Sequence, residues 1–212
     1  VKANAIDAIY MGSESPPYAV KPSSTVVGDL LGVGEKYQAV DLQFACKAAA
    51  AGFQMAYGQL ESGQIAHALV IGADKSQAKS GDVLEWSAGA AAAAVLLGTT
   101  QVLATLEHRS SISSDTPDFW RRDGEHFPSH AGRFTGDPGY FFHVEHVISC
   151  LFGDYHYKAA DFDHVILHMP NGKFPQKIAR TFGFSSKQLH SGFMVPEVGN
   201  PYAANVLLGL TA

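Results

Sequence analysis

Between Gln38 and Gly63 an apolar segment, Gln38–Ala45, runs without an intervening loop into a helix of small residues from about Cys46 to Ser62, which Gly63 stops. A strand that feeds directly into a helix leaves few architectures open, because each must bury its apolar side against another layer. The flanking sequence supplies those layers. Ile6–Gly12 reads as a short buried strand ending in glycine, followed by the loop Ser13-Glu14-Ser15-Pro16-Pro17. Tyr18–Leu31 has mixed helical character, and Ala66–Asp74 is a third strand with a glycine near its exit. Ala91–Leu97 and Val102–His108 resemble an antiparallel pair over Gly98-Thr99-Thr100. Alternating strands and helices predict an α/β protein with a mixed sheet.

From Arg109 to Tyr140 the composition turns charged, aromatic and glycine-rich, with Pro117, Pro128 and Pro138 breaking any period. The spacing then predicts a helix over Tyr140–Phe152, a strand Asp163–His168, a loop Met169–Gly172, a helix Phe174–Phe182 and a loop-strand unit Val195–Leu210. This repeats the strand-loop-helix theme of the first part. The chain divides into an N-terminal half, 1–108, an insertion, 109–139, and a C-terminal half, 140–212. Its 212 residues, 46% hydrophobic and 17% charged, suffice for a substantial core. A formal net charge of -5 gives no general attraction for nucleic acid or an anionic membrane. No run reaches the roughly 18 apolar residues of a membrane span, so a soluble protein is expected. Cys46 and Cys150 make no disulfide framework, and without a signal peptide the expected compartment is the reducing cytoplasm.

A thiol at the start of a helix meets partial positive charge and unpaired N–H groups, which lower its pKa and favour the nucleophilic thiolate. Cys46 occupies such a position, although free cysteines are more often buried and inert. His168 at the end of a predicted strand and Asn200 in the glycine-framed loop Val198-Gly199-Asn200-Pro201-Tyr202 are its candidate partners. Glu14 stands at another strand exit. His143, His146 and Cys150 share one helical face, but three ligands alone also describe a histidine-rich helix; His126 and His130 sit among loop formers, and no metal site is expected.

Six segments together carry a more specific signal: Gly12-Ser13-Glu14-Ser15, Asp41–Ala48, Asp118-Phe119-Trp120-Arg121-Arg122, Gly132–Gly136, His168–Pro175 and Val198–Tyr202. In order and spacing they resemble hydroxymethylglutaryl-coenzyme A synthase of the archaeal and bacterial type, within the thiolase-like superfamily. The resemblance implies two similar βαβ halves with mixed central sheets packed around buried helices. It implies Cys46 as the nucleophile that takes acetyl from acetyl-coenzyme A, and Glu14 as the general acid/base of the condensation. His168 would polarise the thioester carbonyl of acetoacetyl-coenzyme A, Asn200 would hold the same substrate, and Lys173 and Lys177 would meet coenzyme A phosphates. No metal or redox cofactor is implied; coenzyme A thioesters are the substrates. A homodimer is implied, as is an archaeal-type assembly with acetoacetyl-coenzyme A thiolase and a small zinc-ribbon/OB-fold protein.

Members of that family continue on both sides of the matched segment, so the chain is expected to be incomplete at both ends, a fragment or a shortened relative. Pro201-Tyr202-Ala203-Ala204 also departs from the commoner Thr-Tyr-Ser-Gly. Cys, His and Asn are shared with ketoacyl synthase III enzymes, which lack the glutamate. A third expectation, of another class, is a non-catalytic homologue that binds acyl-coenzyme A or docks on a thiolase.

Overall fold

The computed structural model describes residues 1–212. Four strands, β1 (Ala8–Gly12), β2 (Gln38–Leu42), β3 (His67–Lys75) and β4 (Ala90–Gly98), form one sheet in the order β2-β1-β3-β4. β1 pairs in parallel with β2 and β3, whereas β4 runs antiparallel to β3, so the sheet is mixed as expected. Alternation along β1 assigns the two faces. Ala8 and Tyr10 join Ala68 and Val70 of β3 in a core with Ala49, Ala56 and Leu207, while Ile9 packs with Ile6, Val33 and Ile71 on the other side.

Helix α1 (Ser23–Leu31) precedes β2, and its first N–H groups, those of Ser23 and Ser24, are accepted by the Asp41 carboxylate. Helix α2 (Ala48–Glu61) buries Ala48, Ala49, Gly52, Ala56 and Leu60, a stripe of small residues at helical spacing that brings its backbone close to the sheet. The approach is closest at Gly12, where a β-carbon would collide with the Ala48–Ala49 backbone.

The insertion folds back on the first half. It carries a two-stranded ribbon, β5 (Phe119–Trp120) and β6 (Ser129–His130), with Phe119 opposite His130. His130 Nε2 lies 3.1 Å from Asp82, and Arg121 donates to Gln77 at 3.1 Å, fastening the ribbon to the segment after β3.

The C-terminal half departs from expectation in its local structure. Helices α3 (Phe141–Tyr155), α4 (Lys173–Phe182) and α5 (Ser186–His190) pack around Tyr140, Leu167, Ile178 and Phe184, with several partly buried phenylalanines. The predicted strand Asp163–His168 is unpaired chain, joined to α5 by the Val165 N–H bond to Gln188. The predicted strand within Val195–Leu210 is instead α6 (Val195–Val198), a 3-10 turn at Tyr202–Ala204 and α7 (Asn205–Thr211). A strand requires a neighbour to take its backbone groups, and these two segments do not provide one another with one. The predicted hairpin is also replaced: β4 pairs with β3, in register from His67 opposite Gly98 to Lys75 opposite Ala90, and Val102–His108 forms no strand.

Candidate active site

Cys46 lies at an elbow between β2 and α2. Ala45, immediately before it, has φ of +42°, a left-handed conformation that a residue with a β-carbon adopts at an energetic cost. Lys47 N–H then bonds to the Phe44 carbonyl and Ala48 N–H to that of Ala45, so the chain reverses within one turn. On the same side, the loop after β1 delivers Glu14, whose Oε1 accepts the Phe44 N–H at 3.1 Å. The carboxylate is therefore tied to the backbone two residues before the thiol.

Asp74, near the end of β3 and 6% exposed, organises this loop. Its Oδ1 accepts Ser13 Oγ at 3.0 Å, Glu14 N at 2.7 Å, Ser15 N at 2.9 Å and Ser15 Oγ at 2.7 Å. Its Oδ2 accepts the Ala203 N–H at 2.9 Å. A buried carboxylate is stable only when so compensated, and here the compensation joins the loop of Glu14 to the loop of Asn200.

Asn200 is 6% exposed and enters from the C-terminal half. Its backbone is held at both ends: the N–H bonds to the Ser87 carbonyl, and the carbonyl accepts the Ser76 hydroxyl. A β-carbon at Gly72 would stand 2.5 Å from the Ala203 oxygen, so this glycine admits the segment that follows Asn200. Its side-chain amide reaches the Cys46 thiol. His168 joins through Asn205, which lies beside its ring and bonds to both the Met169 backbone and Asn200. Tyr140 OH fixes the His168 carbonyl at 2.7 Å. Glu14, Cys46 and Asn200 are thus brought together directly, with His168 one residue removed in this network.

Lys173 and Lys177 lie apart from it, exposed on α4, with the Lys177 ammonium 3.9 Å from the centre of the Phe141 ring. His143 is engaged by Ser114 at 2.7 Å and by the Gly139 carbonyl at 2.8 Å, while His146 packs on Phe142. No group of three or more His, Cys, Asp or Glu side chains converges as a metal cage.

The electrostatics overturn one expectation from the sequence. The Cys46 thiol is not activated by its helix; burial pushes its pKa up, and the Glu14 and Asp74 carboxylates push it further, against the opposing pull of its own N–H and of Asn200. Some surface of the residue remains accessible, but burial is the largest influence on the thiol, which stands ahead of α2 rather than within its first turn. Burial, then Asp74, raises Glu14 to about 7, against the Phe44 N–H and Arg121. Burial lowers His168 to about 4, opposed by Asn205, and its Nδ1 is buried without a hydrogen-bond partner. At neutral pH the site thus holds a thiol, a neutral imidazole and a carboxyl group populated in both forms.

Above Glu14 is a cavity of about 140 Å³. Ser15, Gln43, Ala45 and Gln77 form its floor and side, and the insertion supplies Phe119, Trp120, Arg121 and Pro128. Tyr202, which packs edge-on against Phe119 and donates to the Gln77 carbonyl at 3.0 Å, closes the remaining side. Asp74 and Gln77 are not singled out by sequence, and Tyr202 only as part of the segment Val198–Tyr202. The signal available was a charged residue closing an otherwise apolar strand.

Comparison with known proteins places this geometry in context. Residues 40–115 match the family described as 3-oxoacyl-[acyl-carrier-protein (ACP)] synthase III. The chain is 50% identical over 212 residues to hydroxymethylglutaryl-CoA synthase of Archaeoglobus fulgidus, covering all of this chain and 62% of that protein. It is 44% identical over 212 residues to the synthase of Thermoplasma volcanium, covering 60% of it. The chain therefore spans about three fifths of the length of these relatives. Among solved structures, an HMG-CoA synthase complexed with CoA superimposes with a TM-score of 0.88 at 21% identity, covering 99% of this chain and 57% of the other. MvaS in complex with 3-hydroxy-3-methylglutaryl coenzyme A gives 0.86 at 20% identity, covering 99% and 60%. Xanthomonas campestris OleA, with bound lauric acid and lauroyl-CoA, gives 0.84 at 16% identity, covering 100% and 68%. The fold is the thiolase-like α/β fold expected from the sequence.

Proposed function

By sequence the chain belongs to the hydroxymethylglutaryl-CoA synthase family, and from that premise we propose that it carries the site that condenses acetyl-CoA with acetoacetyl-CoA. The observation that carries this reading is the placement of Glu14. Its carboxylate is bonded to the Phe44 N–H beside the Cys46 elbow, and burial raises it to about 7, where it can both take and return a proton.

Acyl transfer comes first. The Cys46 sulfur attacks the thioester of acetyl-CoA, the bond to the coenzyme A sulfur breaks, and the thiol proton passes to that departing sulfur. Exchange of one thiol for another requires no free thiolate at rest, in keeping with the raised pKa of Cys46. The Glu14 carboxylate then removes a proton from the acetyl methyl group, and the resulting carbon nucleophile attacks the ketone carbonyl of acetoacetyl-CoA. Protonated Glu14 returns its proton to the new alkoxide. Water finally cleaves the Cys46 thioester, one of its protons restoring the thiol on the enzyme and the other leaving to solvent from the carboxyl group released on the product. Neutral His168 donates one N–H to the thioester carbonyl of the second substrate, Asn200 holds the same substrate, and the Cys46 backbone N–H is a donor for a developing oxyanion. Lys173 and Lys177 receive coenzyme A phosphates.

The same reading assigns the protein to isoprenoid precursor synthesis in the cytoplasm, as a homodimer associated with acetoacetyl-CoA thiolase and a zinc-ribbon/OB-fold protein. No helix is long and apolar enough to cross a membrane. Incubation with acetyl-CoA followed by intact mass measurement tests the central step: one acetyl group is expected on the wild type and none on Cys46→Ala. Labelling at another residue, or acyl-CoA binding without any acetyl-enzyme, overturns it.

A second reading, a ketoacyl synthase III-like condensation, is favoured by the family match over residues 40–115. Glu14 separates the two. Glu14→Ala is expected to abolish condensation while Cys46 still becomes acetylated; unimpaired turnover favours the second reading.

A further inference from the structure

Asn205 is 1% exposed, at the first position of α7, and uses both ends of its carboxamide. Its Oδ1 accepts the Met169 N–H at 2.9 Å. Its Nδ2 donates to the Met169 carbonyl at 3.2 Å and to Asn200 Oδ1 at 3.1 Å. Two parallel bonds to one backbone unit hold the residue after His168 in place, and the third reaches the side chain of Asn200. Asn200 Oδ1 also accepts the Tyr202 N–H at 3.1 Å. With both lone pairs of that oxygen occupied, the orientation of the Asn200 carboxamide is set, and its amino end is left for the Cys46 sulfur.

We propose that Asn205 is a positioning residue that fixes the Asn200 amide and the His168–Met169 backbone relative to one another, and so sets the geometry in which the second acyl thioester is held. The assignment rests on the condensation reading above for its functional meaning, and on the hydrogen bonds alone for its structural one. Only a carboxamide satisfies the three contacts. A serine hydroxyl is too short to span them, alanine leaves Met169 N–H and Asn200 Oδ1 without this partner, and a carboxylate faces two acceptors with no proton to give.

The buried Nδ1 of His168 has no hydrogen-bond partner, so the position of this imidazole depends on what packs against it, and Asn205 lies there. Loss of Asn205 therefore disturbs both groups that the condensation assigns to acetoacetyl-CoA.

The test uses Asn205→Ala and Asn205→Asp in the intact protein. In Asn205→Ala, kcat/KM for acetoacetyl-CoA is expected to fall about 10²-fold, the loss that a displacement near 1 Å produces. The yield of acetyl-Cys46 from acetyl-CoA should stay at one per chain. In Asn205→Asp, activity relative to wild type should recover as the pH falls and the carboxyl group regains a proton to donate, a response that simple loosening of the core does not give. Crystal structures of either variant should show Asn200 rotated and the Met169 peptide displaced. An Asn200 that keeps its orientation in both variants overturns the assignment, as does an equal loss of acetylation and condensation. Wild type that never acetylates Cys46 refutes the condensation reading instead, and the crystal structures still decide the role of Asn205.

Discussion

Gly12 and Gly72 are register partners on neighbouring strands, and each admits backbone where a β-carbon would otherwise stand. Gly12 seats the Ala48–Ala49 turn behind Cys46, and Gly72 seats Ala203–Ala204 behind Asn200. One step of the sheet thus sets the distance between the thiol and the amide. Gly12→Ala is expected to impair acetylation of Cys46, whereas Gly72→Ala should impair condensation while acetylation persists. Each overpacks a close contact and should lower stability by about 1–3 kcal/mol in chemical denaturation. Identical effects of the two on both half-reactions would show that the seats are not separate.

The acid limb of kcat/KM should report Glu14. On the proposed condensation the carboxylate must be ionised to remove the methyl proton, so activity should rise with pH through about 7, the position to which burial and Asp74 bring it. Arg121 opposes that shift, so Arg121→Gln should move the limb to higher pH. Movement to lower pH, or none, contradicts this account of the carboxylate.

Glu14 and Asp74 also act on Cys46, raising its pKa beyond what burial does. Glu14→Gln removes one of these charges and should lower the thiol pKa, so that iodoacetamide alkylates Cys46 several-fold faster at a given alkaline pH. The variant would combine a more reactive thiol with lost condensation. Slower alkylation would mean that Glu14 serves the thiol as a base rather than as a repelling charge.

The strands of the first half were legible because β1 and β3 are short apolar runs with glycine near their exits, and α2 because its small residues recur at helical spacing. Cys46, Glu14 and Asn200 were legible for the same reason, since each follows such a run or a glycine. The contacts that join them were not. Asp74 gathers donors from residues 13–15 and from Ala203, and the Asp118 carbonyl receives the Ala131 N–H and the Thr135 hydroxyl across the insertion. Such bonds follow from tertiary arrangement, which local periodicity does not encode. The direction of the Cys46 shift was hidden in the same way: a helix start near the thiol is visible in sequence, but the burial that raises its pKa is not. Val195–Leu210 read as a strand because it is apolar and glycine-framed, and its alanines instead settle into a turn and helix that bury Tyr202, Ala203, Ala204 and Leu207.

His168 carries a pH dependence of stability opposite in sense to that of a paired histidine. Its folded pKa of about 4 lies below the ordinary value of 6.5, so between these values the unfolded chain binds a proton that the folded one refuses. This contribution is complete above about 6.5 and is lost as the pH falls toward 4. His168→Gln should flatten that part of the stability curve measured by urea denaturation at successive pH values. An unchanged slope would mean that the imidazole titrates freely in the folded state.

Lys173 and Lys177 stand one helical turn apart on the exposed side of α4, and Asn171 Oδ1 holds the start of that helix by accepting the N–H groups of Lys173 and Phe174. Both ammonium groups lie outside the cavity above Glu14, so any contribution to turnover must come through binding of a distant part of the substrate. On the proposed reading that part is the phosphates of coenzyme A. Replacing both lysines by alanine should raise KM for acetyl-CoA and acetoacetyl-CoA about tenfold with kcat unchanged, the signature of binding energy expressed equally in ground and transition states. The penalty should shrink as salt screens the charges. An N-acetylcysteamine thioester carries the same acyl group without phosphates, so its KM should be indifferent to the double substitution. An equal rise in KM for that truncated thioester would place the effect in the packing of α4 against Phe141 rather than in phosphate recognition.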